Sequence, residues 1–271
     1  MTDRTGYPVA EIARFESRGG LHGTVTFSVL LAAAAVLFTA LFPSVAESGV
    51  DFEQYLESLP PALQAVFGNA PITTIEGFLA IEVYQFIWLI LLGLYFAYLG
   101  GGLIAGPRER GELSLVLAGP VPRRSVVLGR FATVVVAALV VNAVVGLSVY
   151  ATVVGIGESI DPVDLAAVHL LSVPYLLACA AIGTVASTLL SSADYARRAA
   201  IGLVFVLFVL ESLLVATDVD WLGVLSPTYH YDPVDVLVRS QYDLGGALVL
   251  LGVTVVLLGV AVLRFERSDL G

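Results

Sequence analysis

The sequence predicts an all-α membrane protein, a six-transmembrane-helix bundle with a cytoplasmic hairpin and outer interfacial helices. Three observations carry that prediction. The 271 residues are 58% hydrophobic and only 13% charged, whereas soluble domains run near half apolar with about a quarter charged. Six runs reach or approach the ~20 apolar residues that cross a bilayer. Arginine falls almost wholly on one side of those runs.

Taken in order, residues 1–23 read as a cytoplasmic helix leading into the first span, 24–42. "SVA" at residues 44–46 resembles a signal-cleavage site, but an apolar run of about 19 residues exceeds the 7–15 of a signal h-region, so the span is expected to be retained. Residues 44–77 are acidic and hold no arginine. Within them, "DFEQYLESLPPALQAVFG" places Phe52, Tyr55, Leu56 and Leu59 on one helical face behind a possible cap, Asp51. This predicts one or two short helices at the outer surface, either lying in the lipid interface or acting as a lid. The remaining spans are 78–105, 131–156, 165–190, 199–216 and 245–263, the fifth being the shortest. Gly93, Ala97 and Gly101 in the second span recur every four residues, as do Cys179, Gly183 and Ser187 in the fourth. Small residues at this spacing let helices approach closely in lipid. Pro174 is expected to kink the fourth span.

Orientation follows from the cations. All 13 basic residues are arginine. Arg4, Arg14, Arg18, Arg108, Arg110, Arg123, Arg124, Arg130, Arg197, Arg198, Arg264 and Arg267 fall on one side of the alternating segments, and only Arg239 falls on the other. The positive-inside rule then predicts a multi-pass cell-membrane protein with both termini cytoplasmic. The 23 Asp plus Glu give a net charge of −10. An acidic, lysine-free chain suits molar salt, where the Debye length falls to about 3 Å, and predicts a halophilic archaeal origin. Drift in a GC-rich genome is the alternative.

The chemistry that is missing narrows function. The single cysteine, Cys179, permits neither a disulfide nor a cysteine-based metal site. The three histidines do not form H-E-x-x-H, and a P-loop needs a lysine that the chain lacks. The sequence therefore predicts no enzyme activity, cofactor or metal centre in this chain, and no nucleic-acid partner. Any nucleotide energy must come from a separate subunit.

The hairpin "GPRERGELSLVLAGPVPRRSVVLGR", residues 106–130, lies between two spans. Pro107 suits the first turn of a short helix running to Ala118, with Leu113, Val116 and Leu117 on one face. Prolines 120 and 122 end it, and a second helix starts near Arg123. Such a helix is too short to span and too apolar to stand free, so it lies in the lipid interface or docks on a cytoplasmic partner. Arg110, Gly111, Glu112, Leu113, Val116, Leu117, Pro120, Val121, Arg123 and Arg130 resemble the G-x-L-x-x-L-L-x-x-P-V-x-R signature of ABC-2 type (type V) ABC transporter permeases. The tail "FERSDL", residues 265–270, resembles that family's F-x-R-R-D-L ending, with Ser268 in place of the second arginine. "EIARFESRGG" is similar to its N-terminal cytoplasmic helix. The chain is similar in particular to the permease group that includes the membrane subunit of the nitrous-oxide-reductase maturation transporter. The resemblance implies an export permease whose hairpin is a coupling hairpin, docked on a cytoplasmic ABC ATPase subunit and paired with a second permease copy or paralogue in the bilayer. A secondary transporter or channel driven by an ion gradient, or a structural scaffold, are the competing classes.

A last feature comes from depth. Glu82, His169 and Glu211 each fall four or five residues inside the outer end of a span, about 6–8 Å deep at 1.5 Å per residue. Gln85 lies one turn below Glu82, and Asn142 nearer mid-membrane. Intramembrane ionisable groups usually face a bundle interior or a wet cavity. The sequence thus suggests a candidate polar vestibule of Glu82, Gln85, His169 and Glu211, with His169 bridging a glutamate. Separate snorkelling of each group to the headgroups is the alternative.

Overall fold

The computed structural model describes residues 7–47, 71–214 and 217–267. Every regular element among them is a helix. The outer interfacial helices expected at 51–68 lie outside the described residues.

Helix α1 (Tyr7–Ala46) is 40 residues long, about 60 Å, so it joins the expected lead-in helix and first span into one rod. It buries Ser28, Ala32, Ala35, Thr39 and Phe42, a single stripe at alternating spacings of four and three, and packs along α4. The hydroxyls of Ser28 and Thr39 donate back to Thr24 and Ala35 carbonyls at 2.8 and 2.7 Å. No polar atom on that stripe therefore needs a lipid-side partner.

Helix α2 (Ile75–Glu109) starts at Thr74, whose Oγ1 accepts from Gly77 N. Its stretch Ala80–Leu92 is π-helical. The short α3 (Glu112–Leu117) follows, then α4 (Arg123–Gly155). Asp161 caps α5 (Pro162–Leu189), accepting from Val163 N at 2.7 Å, with Pro174 inside the unbroken helix. Helix α6 (Ala193–Leu214) leads through two 3-10 turns, Asp220–Leu225 and Pro227–His230, to α7 (Pro233–Arg239) and α8 (Leu244–Glu266).

Among the described residues, five helices are long and apolar enough to cross a membrane: Gly23–Ala46 of α1, α2, α4, α5 and α8. The described part of α6 keeps Asp194, Arg197, Arg198 and Glu211 within its 22 residues, so no long stretch of it is free of charge. Ring contacts fix the directions. Phe27 stacks on Tyr95, and Phe42 meets Phe78, so α1 and α2 are antiparallel. Helices α2 and α5 run parallel, because Tyr84 meets His169 near their starts and Ile104 meets Ser187 near their ends. Arginines 108, 110, 123, 124, 130, 197, 198, 264 and 267 consequently gather at one end of the bundle, the basic end, and residues 217–243 fold over the opposite end.

The hub is α5, two-thirds of whose span is buried. Its contact with α2 is backbone on backbone. A Cβ on Gly100 would stand 2.0 Å from the Ala180 carbonyl oxygen, and one on Gly183 would stand 2.2 Å from that of Ala97. The small-residue stripes thus divide between neighbours. Gly93 and Ala97 face α5, while Gly101 lies against both Gly183 of α5 and the Arg197 backbone of α6.

The residues folded over the far end carry short helices and their caps. Asp232 Oδ1 accepts from Val234 N at 2.7 Å and starts α7, and Asp243 Oδ1 accepts from Gly246 N at 2.8 Å and starts α8. Asp164 of α5 accepts from the hydroxyls of Ser240 and Tyr242, and Tyr231 OH donates to the Val168 carbonyl at 2.9 Å. The Asp-Pro at 232–233 is a helix-start signal of the usual kind.

Candidate functional site

At the basic end, α2 breaks at Leu103–Ile104. The amides of Ile104 and Ala105 both donate to Ser187 Oγ at 2.9 Å, and Arg130, itself 5% exposed, donates to the Leu103 carbonyl at 3.1 Å. A side chain of α5 and one of α4 thereby hold the backbone groups that the break exposes. The helix then resumes over Ala105–Glu109. A single helix from Pro107 to Ala118, as expected from sequence, does not form. Gly111 takes φ 72°, a left-handed conformation that glycine adopts without steric cost, and α3 starts anew at Glu112. Arg110 spans the corner, its Nε 2.5 Å and Nη2 3.1 Å from the two carboxylate oxygens of Glu112. This hydrogen bond to Arg110 holds the Glu112 carboxyl below its ordinary value.

The apolar face of α3 has a different neighbour from the one expected. Leu113 is 2% exposed and clusters with Ile104, Val126, Val127, Ala261 and Phe265, with Val116 and Leu117 packed at the edge. Of the face expected to meet lipid or a docking partner, Leu113 packs on the chain's own α2, α4 and α8, which removes it from water, while Val116 and Leu117 are half-buried. The outward side carries Ser114 and Leu115, the latter 79% exposed. Pro120 is exposed in the turn that follows. Arg123 Nη1 donates to the carbonyls of Phe265 and Glu266 at 3.0 and 3.2 Å, capping the C-terminus of α8. The guanidinium carbons of Arg108 and Arg123 lie 5.9 and 5.8 Å from the Phe265 ring centre, within cation–π range. Phe265 itself is fully buried, so the first residue of the tail motif is a core residue. Ser268 to Leu270 lie outside the described residues.

Toward the other end, His169 joins three helices. Asn142 Nδ2 donates to Ala138 O at 2.8 Å, which leaves Asn142 Oδ1 to accept from Ser172 Oγ and to face His169 Nδ1, each at 2.9 Å. Since that oxygen only accepts, His169 Nδ1 carries the proton, and Nε2 accepts from Tyr84 OH at 2.9 Å. The Tyr84 and Trp88 rings stand roughly perpendicular to the imidazole, with centroids 5.4 and 4.9 Å away. On α4, only a glycine fits beside it, because a Cβ on Gly146 would stand 2.8 Å from His169 Cδ2. His169 therefore bridges tyrosine and asparagine, not the expected glutamate.

The four candidate vestibule residues divide. Gln85 and Glu211 line one cavity of about 120 Å³ with Ser212, Thr228, Tyr231 and Asp232. Glu211 there accepts from Thr228 Oγ1, which also bonds Ser226 Oγ at 2.6 Å. His169 lies instead on the floor of an apolar groove of about 550 Å³ between α4 and α5, and Glu82 is half-buried outside both. The π-helical stretch supplies the reason. Its i→i+5 bonds widen each turn, so faces counted at 3.6 residues per turn are displaced. Tyr84 and Trp88 reach α5, Gln85 reaches α6, and Glu82 is left aside. Sequence reasoning missed Tyr84, Thr228 and Ser226, whose partners lie 85, 17 and 2 residues away. Among the described residues no group of three His, Cys, Asp or Glu side chains is placed to hold a metal ion.

Residues 22–270 match the family model described as ABC-2 family transporter protein. No curated protein matches the chain.

Proposed function

The chain belongs to the ABC-2 family of transporter proteins, and on that premise we propose that it is the membrane permease subunit of an ATP-binding cassette exporter, energised by a separate cytoplasmic ATPase subunit. The observation that carries the reading is α3: a short helix at the basic end, fixed to the bundle by Leu113 and presenting Leu115 outward. An aliphatic side chain 79% exposed on a helix too short to enter the membrane fits a groove on a partner protein. Arg110, Gly111, Glu112, Leu113, Val116, Leu117, Pro120 and Arg123 then shape and anchor the coupling hairpin, while Leu115 makes the contact. A chain without lysine has no P-loop, so hydrolysis belongs to the partner.

In this reading the basic end is cytoplasmic, following the arginine distribution. Helix α6 is the sixth crossing. Its 22 residues span about 33 Å, its charges sit near its ends, and it packs against α2 and α5. The permease pairs with a second copy or a paralogue across the bilayer. The acidic, lysine-free composition supports a halophilic archaeal source. The hairpin and tail motifs support membership of the group that includes the nitrous-oxide-reductase maturation permease. The polar cavity of Gln85 and Glu211 is part of the outward path for cargo.

The test is a pair of hairpin substitutions read by co-purification of the ATPase from membranes. Leu115→Asp keeps the permease folded and lowers ATPase recovery at least tenfold, the effect of losing a contact worth about 1.4 kcal/mol or more. Leu117→Asp, which introduces charge at the intramolecular cluster, lowers the yield of folded permease as well. Full ATPase recovery with Leu115→Asp would overturn the reading.

A further inference from the structure

The hydrogen bonds that cross between helices are unevenly distributed. Helices α2, α4 and α5 are joined inside the bundle by Tyr84, His169, Asn142 and Ser172, and again by Tyr175 OH on the Leu89 carbonyl at 2.6 Å. Nearer the basic end, Ser187 and Arg130 repeat the linkage. Helix α8, like α1, lies outside this network, and unlike α1 it ends against the hairpin. It buries only Gly246, Leu250, Thr254, Ala261 and Phe265, and Thr254 Oγ1 is spent on its own Leu250 carbonyl. Between residues 247 and 264 none of its side chains hydrogen-bonds to another helix among the described residues, so its middle is an apolar surface on apolar neighbours.

Its polar ties are at its two ends. At the basic end Arg123 holds the carbonyls of Phe265 and Glu266, and Phe265 shares a cluster with Leu113 of α3. At the other end a Cβ on Gly246 would stand 2.7 Å from the His230 carbonyl oxygen, so the first turn of α8 rests on the backbone of the Pro227–His230 turn. That turn carries Thr228, the partner of Glu211.

We propose that α8 is the moving element that carries displacement of the hairpin to the opposite end of the bundle. Arg123 is the latch that holds it at rest, and Phe265 is the contact through which α3 drives it. The hydrogen-bonded block of α2, α4 and α5 is the frame. A shift of α3 acts on Phe265, the carbonyl bonds to Arg123 yield, and α8 slides along α5. Its first turn displaces the 227–230 turn and so alters the Gln85–Glu211 cavity. Arg123 and Phe265 are thus positioning residues for transport. The inference rests on the coupling reading given above.

The experiment measures the distance between spin labels at Val154, on the frame, and Leu248, on α8. Both positions are exposed, and Cys179→Ala supplies the background. The permease is isolated with the ATPase that co-purifies, without nucleotide and after trapping with ATP and vanadate. Trapping is expected to shift the distance by about 2 Å or more, the scale of a helix translation. Arg123→Met, which has no donor, should give the shifted distance without nucleotide, and Arg123→Lys, which keeps one, should restore the resting one. Phe265→Ala should abolish the nucleotide-driven shift while the ATPase still co-purifies. A distance unmoved by trapping, or moved equally in the Phe265→Ala protein, overturns the role of α8 and leaves the permease reading intact. Failure of any ATPase to co-purify overturns both.

Discussion

A buried histidine at the junction of three apolar helices has two nitrogens to satisfy. The network answers with one acceptor, Asn142 Oδ1, and one donor, Tyr84 OH, and Ser172 shares the same asparagine oxygen. Leaving a buried polar group without its partner costs about 1–3 kcal/mol. Tyr84→Phe removes only the donor to His169 Nε2 and is expected to lower the apparent unfolding temperature in detergent modestly. His169→Leu leaves both Tyr84 OH and part of the Asn142 capacity unmet and should lower it further. Identical unfolding temperatures for wild type and both variants would show that the network contributes nothing. The place of His169 near the start of its helix was legible in the sequence, because it follows from counting residues along an apolar run. Its partners were not, because they are 85 and 27 residues distant.

At the scale of elements, the closest packing is between α2 and α5, where Gly100 and Gly183 bring backbones into contact. An added methyl would meet a carbonyl oxygen that cannot swing aside, so the helices must separate. Overpacking of this kind costs about 1–3 kcal/mol. Gly100→Ala and Gly183→Ala should each lower the unfolding temperature and the yield of monodisperse protein. Gly252→Ala on α8 is the control. Nothing lies within 4 Å of its Cβ position, and alanine is the better helix former by about 1 kcal/mol, so that variant should equal or exceed wild type. If all three behaved alike, close backbone approach would not explain the small-residue stripes. The spacing of Gly93, Ala97 and Gly101 announced an interface in the sequence, but not that Gly101 would meet α6 as well as α5. That choice depends on where α6 lies, which no local pattern encodes.

The whole molecule shows a gradient of burial, from two-thirds of the α5 span to 28% of the α1 and α8 spans. The outer faces carry large exposed aliphatics, among them Leu30, Leu37, Leu248, Val255 and Val256. In a soluble protein such a surface would be a liability, and in a bilayer it faces its own solvent. The arrangement predicts a labelling pattern on intact cells. In a Cys179→Ala background, an impermeant thiol reagent should reach Glu158→Cys, in the exposed α4–α5 connection. It should reach Ser114→Cys on α3 only after the membrane is opened. Ser125, equally basic-sided by sequence, is buried and would stay silent on either side. Labelling of Ser114→Cys in sealed cells would reverse the assigned orientation.

Membrane class, the helical runs and the clustering of arginine at one end were determined by the sequence itself, because hydrophobic length and charge placement act locally, segment by segment, against the bilayer. The cap signals at Asp161, Asp232 and Asp243 belong with them, since a cap needs only its own next few residues. The inward turn of α3 was decided by tertiary structure. Its apolar face is equally suited to a partner or to the bundle, and the outcome depends on Phe265, about 150 residues later in the chain, being placed beneath it. Arg123 holds carbonyls 142 and 143 residues away. The division of the polar layer was likewise settled by the π-helical turn in α2, which shifts the faces that a 3.6-residue period assigns. Long-range packing chooses among faces that the local pattern makes equally apolar, and for that reason the long apolar helices could be read from the chain while the contacts of the hairpin could not.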